Sequence, residues 1–358
     1  LITSAALAVA TLSRSELLPE PPRPLEPPRF AGGLYAACLP GALCLLVAVG
    51  VYVASPASSA AAARLWLLGL ALLLLPGLWD WARRFRRRTP STERNGRRYA
   101  AAAVTLFVLA FAIRIWGGID RMPGWLDSDE AATGVDGRTV FAQGARALFG
   151  FWDVGNPHVT LFVSQLAALP FGEGLGALRL GSALLGSLTV VLLFDFGRRL
   201  VGGPTAFLAA LLLAVNHVFV HYSRVGQIYV DTPFFTSLVL ALLLRVLTGG
   251  SFLSLTAAGI ALGIGAATYV PTEILPALVL LTLLGWTTAF TWEPRRVLVL
   301  GAFLAAVVAL ILAPIVVTVL RITPEIAYQR IPNLSLLRPE GLRLLADTYR
   351  ADSGIETM

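Results

Sequence analysis

Nine stretches of this chain are apolar over lengths that match, or nearly match, the thickness of a bilayer core. They lie at about 31–54, 64–81, 99–119, 175–197, 204–222, 233–248, 252–270, 273–291 and 297–320. A helix needs about 20 predominantly apolar residues to cross a membrane. In hydrocarbon every backbone polar group must be satisfied internally, which helices do and open irregular chain does not. Hydrophobic residues make up 56% of the sequence and charged ones only 14%, more apolar side chain than a soluble domain of this size can hide. The expected fold class is therefore all-α: a polytopic transmembrane helical bundle.

The net charge of +7 and a set of 28 basic residues, all arginine, invite a nucleic-acid reading. Their placement argues against it, because they fall between apolar spans rather than on one soluble face. They read instead as topology signals. Arg83 to Arg98 crowd the loop after the second span, and further arginines mark the turns at Arg198–Arg199, Arg245 and Arg295–Arg296. Those loops alternate along the chain, as cytoplasmic connections must. The tail after the ninth span is the exception, with Arg321, Arg330, Arg338, Arg343 and Arg350. Cys38 and Cys44, six residues apart in the first span, read as packing residues rather than a disulfide or metal pair.

Four regions follow from this pattern. Residues 1–29 form a proline-rich segment, and 30–98 a transmembrane hairpin with its basic loop. Residues 99–320 form a core interrupted by a long outer loop at 120–174, and 321–358 an extracytoplasmic tail. Within the loop, 130–149 predicts an amphipathic helix on the membrane surface. Residues 158–169 predict a second interfacial helix, ended by Pro170. The chain begins with Leu and stops in the polar run Gly354–Met358, which predicts further helices beyond it.

The outer loop opens on Asp127-Ser128-Asp129-Glu130, three carboxylates in four residues of a chain with only 21 acids. Ionisable groups at a membrane boundary are costly and often functional. The same pattern also suits a solvated loop or a helix start, with Asp127 or Ser128 as cap. Arg179 and Arg224 fall near the predicted outer interface, where they can hold a phosphate or snorkel toward headgroups. Arg114 is predicted to snorkel, with an internal cavity as the alternative, and Asp195 to pair with Arg198 and Arg199. His158 stands at the break after Asn156-Pro157, suited to structure or to ligand contact. Tyr222 and Tyr269 suit an interfacial aromatic belt or a sugar site.

Several of these pieces together resemble the GT-C superfamily of membrane glycosyltransferases. The resemblance is to the branch of protein O-mannosyltransferases and lipid A aminoarabinose transferases. It rests on Asp129-Glu130-Ala131 preceded by Pro123-Gly124-Trp125-Leu126, and on Asn156-Pro157-His158. It also rests on the run from Leu178 to Gly186, on Arg198 to Gly203, and on His221-Tyr222-Ser223-Arg224. It covers about 99–320 and leaves the first two spans as an added hairpin.

That resemblance implies a multi-pass cell-membrane enzyme with an extracytoplasmic site. It implies transfer of a sugar from a polyprenyl-phosphate donor to a protein, lipid or glycan hydroxyl, with inversion. It makes Asp129 the catalytic base and Glu130 its partner, orienting the acceptor or binding a cation. Asp127, His158, Arg179, Tyr222, Arg224 and Tyr269 are then the substrate-binding candidates. Where the family's outer turn often carries Arg, this chain has Thr272-Glu273. No cofactor is readable from the sequence; a divalent cation is compatible with Asp129 and Glu130, but no ligand spacing supports one. The competing expectation is a transporter or flippase for a lipid-linked substrate, which calls for internal repeats and midplane charges.

Overall fold

In a computed structural model of the chain, the described residues are 30, 32–85, 90–119, 126–152, 156–249, 251–290 and 294–322. The proline-rich segment, the tail beyond Ile322 and the Pro123-Gly124-Trp125 motif lie outside them. Among the described residues the protein is helical throughout, apart from one short antiparallel pairing of β1 (Phe151–Trp152) with β2 (Asn156–Pro157).

Among the described residues six helices are long and apolar enough to cross a membrane, and they correspond to six of the nine predicted spans. They are α1 (Leu39–Ala54, extended back by a short turn at Gly32–Ala36), α2 (Ser59–Phe85), α3 (Pro90–Ile115), α6 (Leu175–Leu200), α9 (Asp231–Gly249) and α12 (Pro294–Val317). The other three predicted spans form shorter helices. Residues 204–222 do not make one span: α7 (Gly203–Val215) stops at Asn216, and α8 (His217–Tyr222) starts anew. The cause is local, because the Asn216 side chain accepts from the Phe219 N–H at 3.0 Å and caps the second helix. The remaining two are α10 (Phe252–Ala266) and α11 (Leu275–Phe290).

Both predicted loop helices are present, the first ending at Gln143 rather than reaching residue 149. α4 (Ser128–Gln143) buries Glu130, Thr133, Gly137 and Val140, a stripe spaced at helical period, while Val135 is 67% exposed. The buried line is polar and small because α4 packs on α5 (His158–Ala168) rather than resting an aliphatic face on it. At Gly137 an added Cβ would come within 2.5 Å of the Gln165 side chain.

α6 is the central helix, packed against α3, α5, α7 and α9. One apolar cluster lies between α3, α6 and α7, around Leu106, Phe194 and Ala210. A larger one joins the first hairpin to α9, α10 and α12. The hairpin is therefore integrated with the core rather than attached to it. Trp66 Nε1 donates to the Ile311 carbonyl at 3.2 Å, and Tyr52 shares a 2.9 Å hydrogen bond with Thr318. Within the hairpin, Gly41 lets α1 approach α2 closely: a Cβ there would lie 2.9 Å from the Gly69 carbonyl. Such small-residue contacts are how helices associate in lipid, where burial of apolar surface gives little drive. Both cysteines are free, each with its thiol directed at a carbonyl of α2.

The two ends of α6 differ in chemistry. Arg179 lies in its second turn, and Asp195 lies sixteen residues later. At 1.5 Å per residue they stand roughly 24 Å apart along the axis, most of a bilayer core. The acidic loop joins the Arg179 end. At the other end Asp195 pairs with Arg198 and Arg199, as predicted, and also with Arg245.

Candidate active site

The site is built where α4 begins, where α6 begins, and where the turn between α8 and α9 passes between them. Asp127 is the N-cap of α4: its backbone is extended, and its Oδ1 accepts the Asp129 N–H at 2.9 Å. This settles the capping alternative on Asp127, with Ser128 as the first helical residue. The same oxygen receives Gln227 Nε2 at 2.8 Å, tying the cap to the α8–α9 turn.

Asp129 and Glu130 follow in the first turn, where the helix dipole favours negative charge. Neighbouring residues of a helix point about 100° apart, so the two carboxylates face different surroundings. Glu130 is wholly buried. Arg179 binds it bidentately, Nε to Oε1 and Nη2 to Oε2, each at 2.7 Å. The Gly226 N–H adds a third bond to Oε1 at 2.6 Å. Asp129 is exposed. Its Oδ2 accepts the Tyr229 hydroxyl at 2.7 Å.

This geometry sorts the predicted residues. Arg179 does not snorkel: it is 1% exposed, and its remaining Nη1 donates to the Ile119 carbonyl at 3.1 Å. Its guanidinium is engaged by the protein itself. Glu130 is equally committed, so the Asp129–Glu130 pair is not arranged as a cation site. Among the described residues no cluster of three or more metal-ligating side chains is present.

Arg224 donates from Nη2 to the Trp116 carbonyl at 2.7 Å, while its Nε is buried with no partner among the described residues. Burial, and then the positive charge of Arg179 nearby, pull its pKa below the ordinary arginine value; it stays cationic in any physiological range. Arg179 and Arg224 thus both grip the chain leaving α3, which leads into the acidic loop, and Arg224 keeps donor capacity in reserve.

Tyr222 and Tyr269 come together with Tyr229, which stands between them. Ring centroids are 5.6 Å apart for Tyr222–Tyr229 and 5.4 Å for Tyr229–Tyr269. Burial, with Asp129 and Tyr222 adding negative potential, raises the Tyr269 phenol above its usual range, so it remains a neutral donor. The three rings line a cavity of about 460 Å³ with Phe219 and Pro233. A second cavity of about 440 Å³ lies behind Glu130, between α4, α5 and the start of α6.

His158 is not joined to this cluster by any hydrogen bond among the described residues. Its Nδ1 is 2.8 Å from the Ala147 carbonyl, and it packs on Gly150. Burial lowers its pKa, an effect only partly offset by backbone hydrogen bonds to Ala147 and Phe151. It holds the loop between α4 and α5.

Arg114 also departs from its expected role. It is fully buried, with Nε donating to Ser223 Oγ at 2.9 Å, Nη1 to the Ala110 carbonyl at 2.9 Å, and its guanidinium over the Phe219 ring. The break at Asn216 explains this, since it leaves carbonyls at the end of α7 for a buried cation to approach; Ala214 O lies 3.5 Å from Nη1. The residues missing from the sequence reading are Gly226, Gln227 and Tyr229. Their signal is the polar interruption Ser223-Arg224-Val225-Gly226-Gln227 between apolar runs. Replacing Gly226 with Ala should destabilise the protein by about 1–3 kcal/mol. Its Cβ would sit 2.7 Å from Leu178 Cδ2 and 3.1 Å from Glu130 Oε1. A lowered unfolding midpoint in detergent measures this.

Residues 155–318 match the family model described as dolichyl-phosphate-mannose-protein mannosyltransferase. Among solved structures, the fold resembles the S. cerevisiae protein O-mannosyltransferase Pmt1–Pmt2 complex bound to the sugar donor. The TM-score is 0.50 at 20% identity, covering 65% of this chain and 34% of that one. This chain thus spans about a third of the length of that relative. No curated protein matches it in sequence. The family match covers less than half of this chain, and at 20% identity the structural likeness is one of fold.

Proposed function

We propose that the protein transfers a sugar, mannose being the first to test, from a polyprenyl-phosphate donor to an acceptor hydroxyl on the extracytoplasmic face. The observation that carries this reading is the pairing of opposite environments at Asp129 and Glu130. One carboxylate is open and held by a tyrosine; its neighbour is buried in an ion pair that fixes the helix turn. Attack of a hydroxyl on an anomeric carbon requires removal of its proton, and a carboxylate within hydrogen-bond reach can take it. Asp129 Oδ1 is the oxygen that Tyr229 leaves for this task. Departure of the lipid phosphate builds negative charge, which a preorganised cation stabilises. Arg224, with a buried unpartnered Nε, is the group suited to that role. Attack opposite the phosphate inverts the anomeric centre.

The aromatic cavity beside Asp129 is the assigned sugar subsite, because Tyr229 belongs to both. Tyrosine rings offer an apolar face for the C–H surface of a sugar and a hydroxyl for its oxygens. The basic loops at the other end of the bundle support an extracytoplasmic orientation for the acidic end.

The test is reconstitution in liposomes with labelled polyprenyl-phosphate mannose and, in parallel, a nucleotide sugar. Transfer from the lipid donor alone is expected. Transfer from the nucleotide sugar alone, or lipid donor crossing the bilayer with no transfer, would sink the assignment. Tyr229→Phe should lower the transfer rate about tenfold, the effect of one charge-assisted hydrogen bond, with little change in stability. An unchanged rate would remove Tyr229 from the site.

A further inference from the structure

We propose that the end of the bundle opposite the acidic loop carries a headgroup site for an anionic phospholipid of that leaflet, formed by Arg198, Arg199 and Arg245 around Asp195. Three guanidinium groups from two helices converge there on one carboxylate. Arg198 donates to Asp195 Oδ1 from Nε at 3.0 Å and Nη2 at 2.5 Å, and Arg245 Nε donates to Oδ2 at 2.7 Å. Arg199 Nε stands 3.6 Å from Oδ2, an ion-pair contact too long for a hydrogen bond, and is buried with no hydrogen-bond partner among the described residues. Its Nη1 reaches only Thr248 Oγ1, at 3.4 Å.

The cluster therefore carries two positive charges beyond its single acid. Each guanidinium has five N–H donors, and one carboxylate cannot satisfy three such groups. The three side chains are partly open to the surroundings, with exposures of 22% for Arg198, 24% for Arg199 and 43% for Arg245. A phosphodiester, with planar pairs of oxygens, is the ligand that such forks complete. Arg198 also lies over the Tyr99 ring, 4.8 Å from its centroid, so its plane is fixed before any ligand arrives. Arg97 and Arg98 directly precede Tyr99 on α3 and extend the basic surface.

The neighbouring surface says that the phosphate belongs to a lipid. α3 and α7 pack side by side from this end, and both turn apolar side chains outward at helical spacing. Val104 and Val108 on α3 are 62% and 58% exposed, and Leu208 and Leu212 on α7 are 56% and 61% exposed. Acyl chains below a headgroup at the cluster would lie along these faces. Basic pockets between membrane helices are known to recognise anionic headgroups in this way. The site is independent of the sugar-transfer reading, since it shares no residue with the acidic end.

Native mass spectrometry on the purified full chain, titrated with phosphatidylglycerol, phosphatidylcholine or inorganic phosphate, tests the proposal. Phosphatidylglycerol should bind in preference to phosphatidylcholine, and Arg245→Gln should weaken it about fivefold, the share of one arginine near a headgroup. Arg199→Gln, which removes no hydrogen bond to Asp195, should weaken it similarly. Arg295→Gln, an exposed arginine at the start of α12, should leave it unchanged. Equal binding of the two lipids, or equal loss on Arg295→Gln, would overturn the site as nonspecific surface attraction. Inorganic phosphate displacing the lipid at matching concentration would overturn the lipid assignment.

Discussion

Asp129→Asn is expected to lower sugar transfer by about 10²- to 10⁴-fold, the range a positioned general base contributes. Asparagine keeps the shape and can still accept the Tyr229 hydroxyl, but it cannot take a proton. The side chain is exposed, and its own backbone N–H is what Asp127 caps, so folding should be preserved. Single-turnover transfer in liposomes, alongside an unfolding midpoint, separates the two effects. Loss of transfer with an unchanged midpoint is the expected pattern. A variant that transfers at the wild-type rate would remove Asp129 from catalysis, and one that unfolds early would make it a structural residue. Asp127→Asn should behave differently, because asparagine is as good a cap as aspartate and keeps an oxygen for Gln227. Near-normal transfer is expected there.

The transmembrane pattern was legible because it depends on composition alone: long apolar runs have one solution in lipid. At residues 204–222 a single side chain decided a different outcome. Asn216 turned one predicted span into two helices by capping the second. The acidic cluster was legible as an oddity, and one of its alternatives, the cap at Asp127, was within reach of local rules. What no local rule could supply was which partner each charge finds at long range. Arg179 reads as an interfacial arginine until Glu130, 49 positions away, is placed against it. Tyr229 and Gln227 are each separated from their acidic partners by 100 positions. The same limit explains Arg114, whose partner Ser223 lies 109 positions on. The pairings of Glu130, Asp129 and Asp127 depend on where α4 packs against α5, and that packing rests on small residues such as Gly137 rather than on an apolar stripe.

Arg179→Ala should be the most destabilising single change at the site. It leaves Glu130 wholly buried with one hydrogen bond, from the Gly226 N–H. Removing one partner of a buried ion pair costs about 3–5 kcal/mol, because the other charge stays desolvated and uncompensated. Arg179→Lys should recover only part of this loss, since an ammonium cannot reproduce the two parallel bonds or the third to Ile119. The double change Glu130→Leu with Arg179→Met distinguishes structure from chemistry. Apolar replacement of both partners in a buried pair is often neutral for stability, so the unfolding midpoint should return toward wild type. Transfer should not return with it, because the ion pair and the Gly226 bond set the turn from which Asp129 projects. A double variant that is both stable and fully active would show that Glu130 and Arg179 serve the fold alone. If Arg179→Ala melts at the wild-type temperature, the ion pair is not the anchor its burial indicates. The expected order of stability is therefore wild type, then the double variant, then Arg179→Lys, then Arg179→Ala, while activity stays high only in the first.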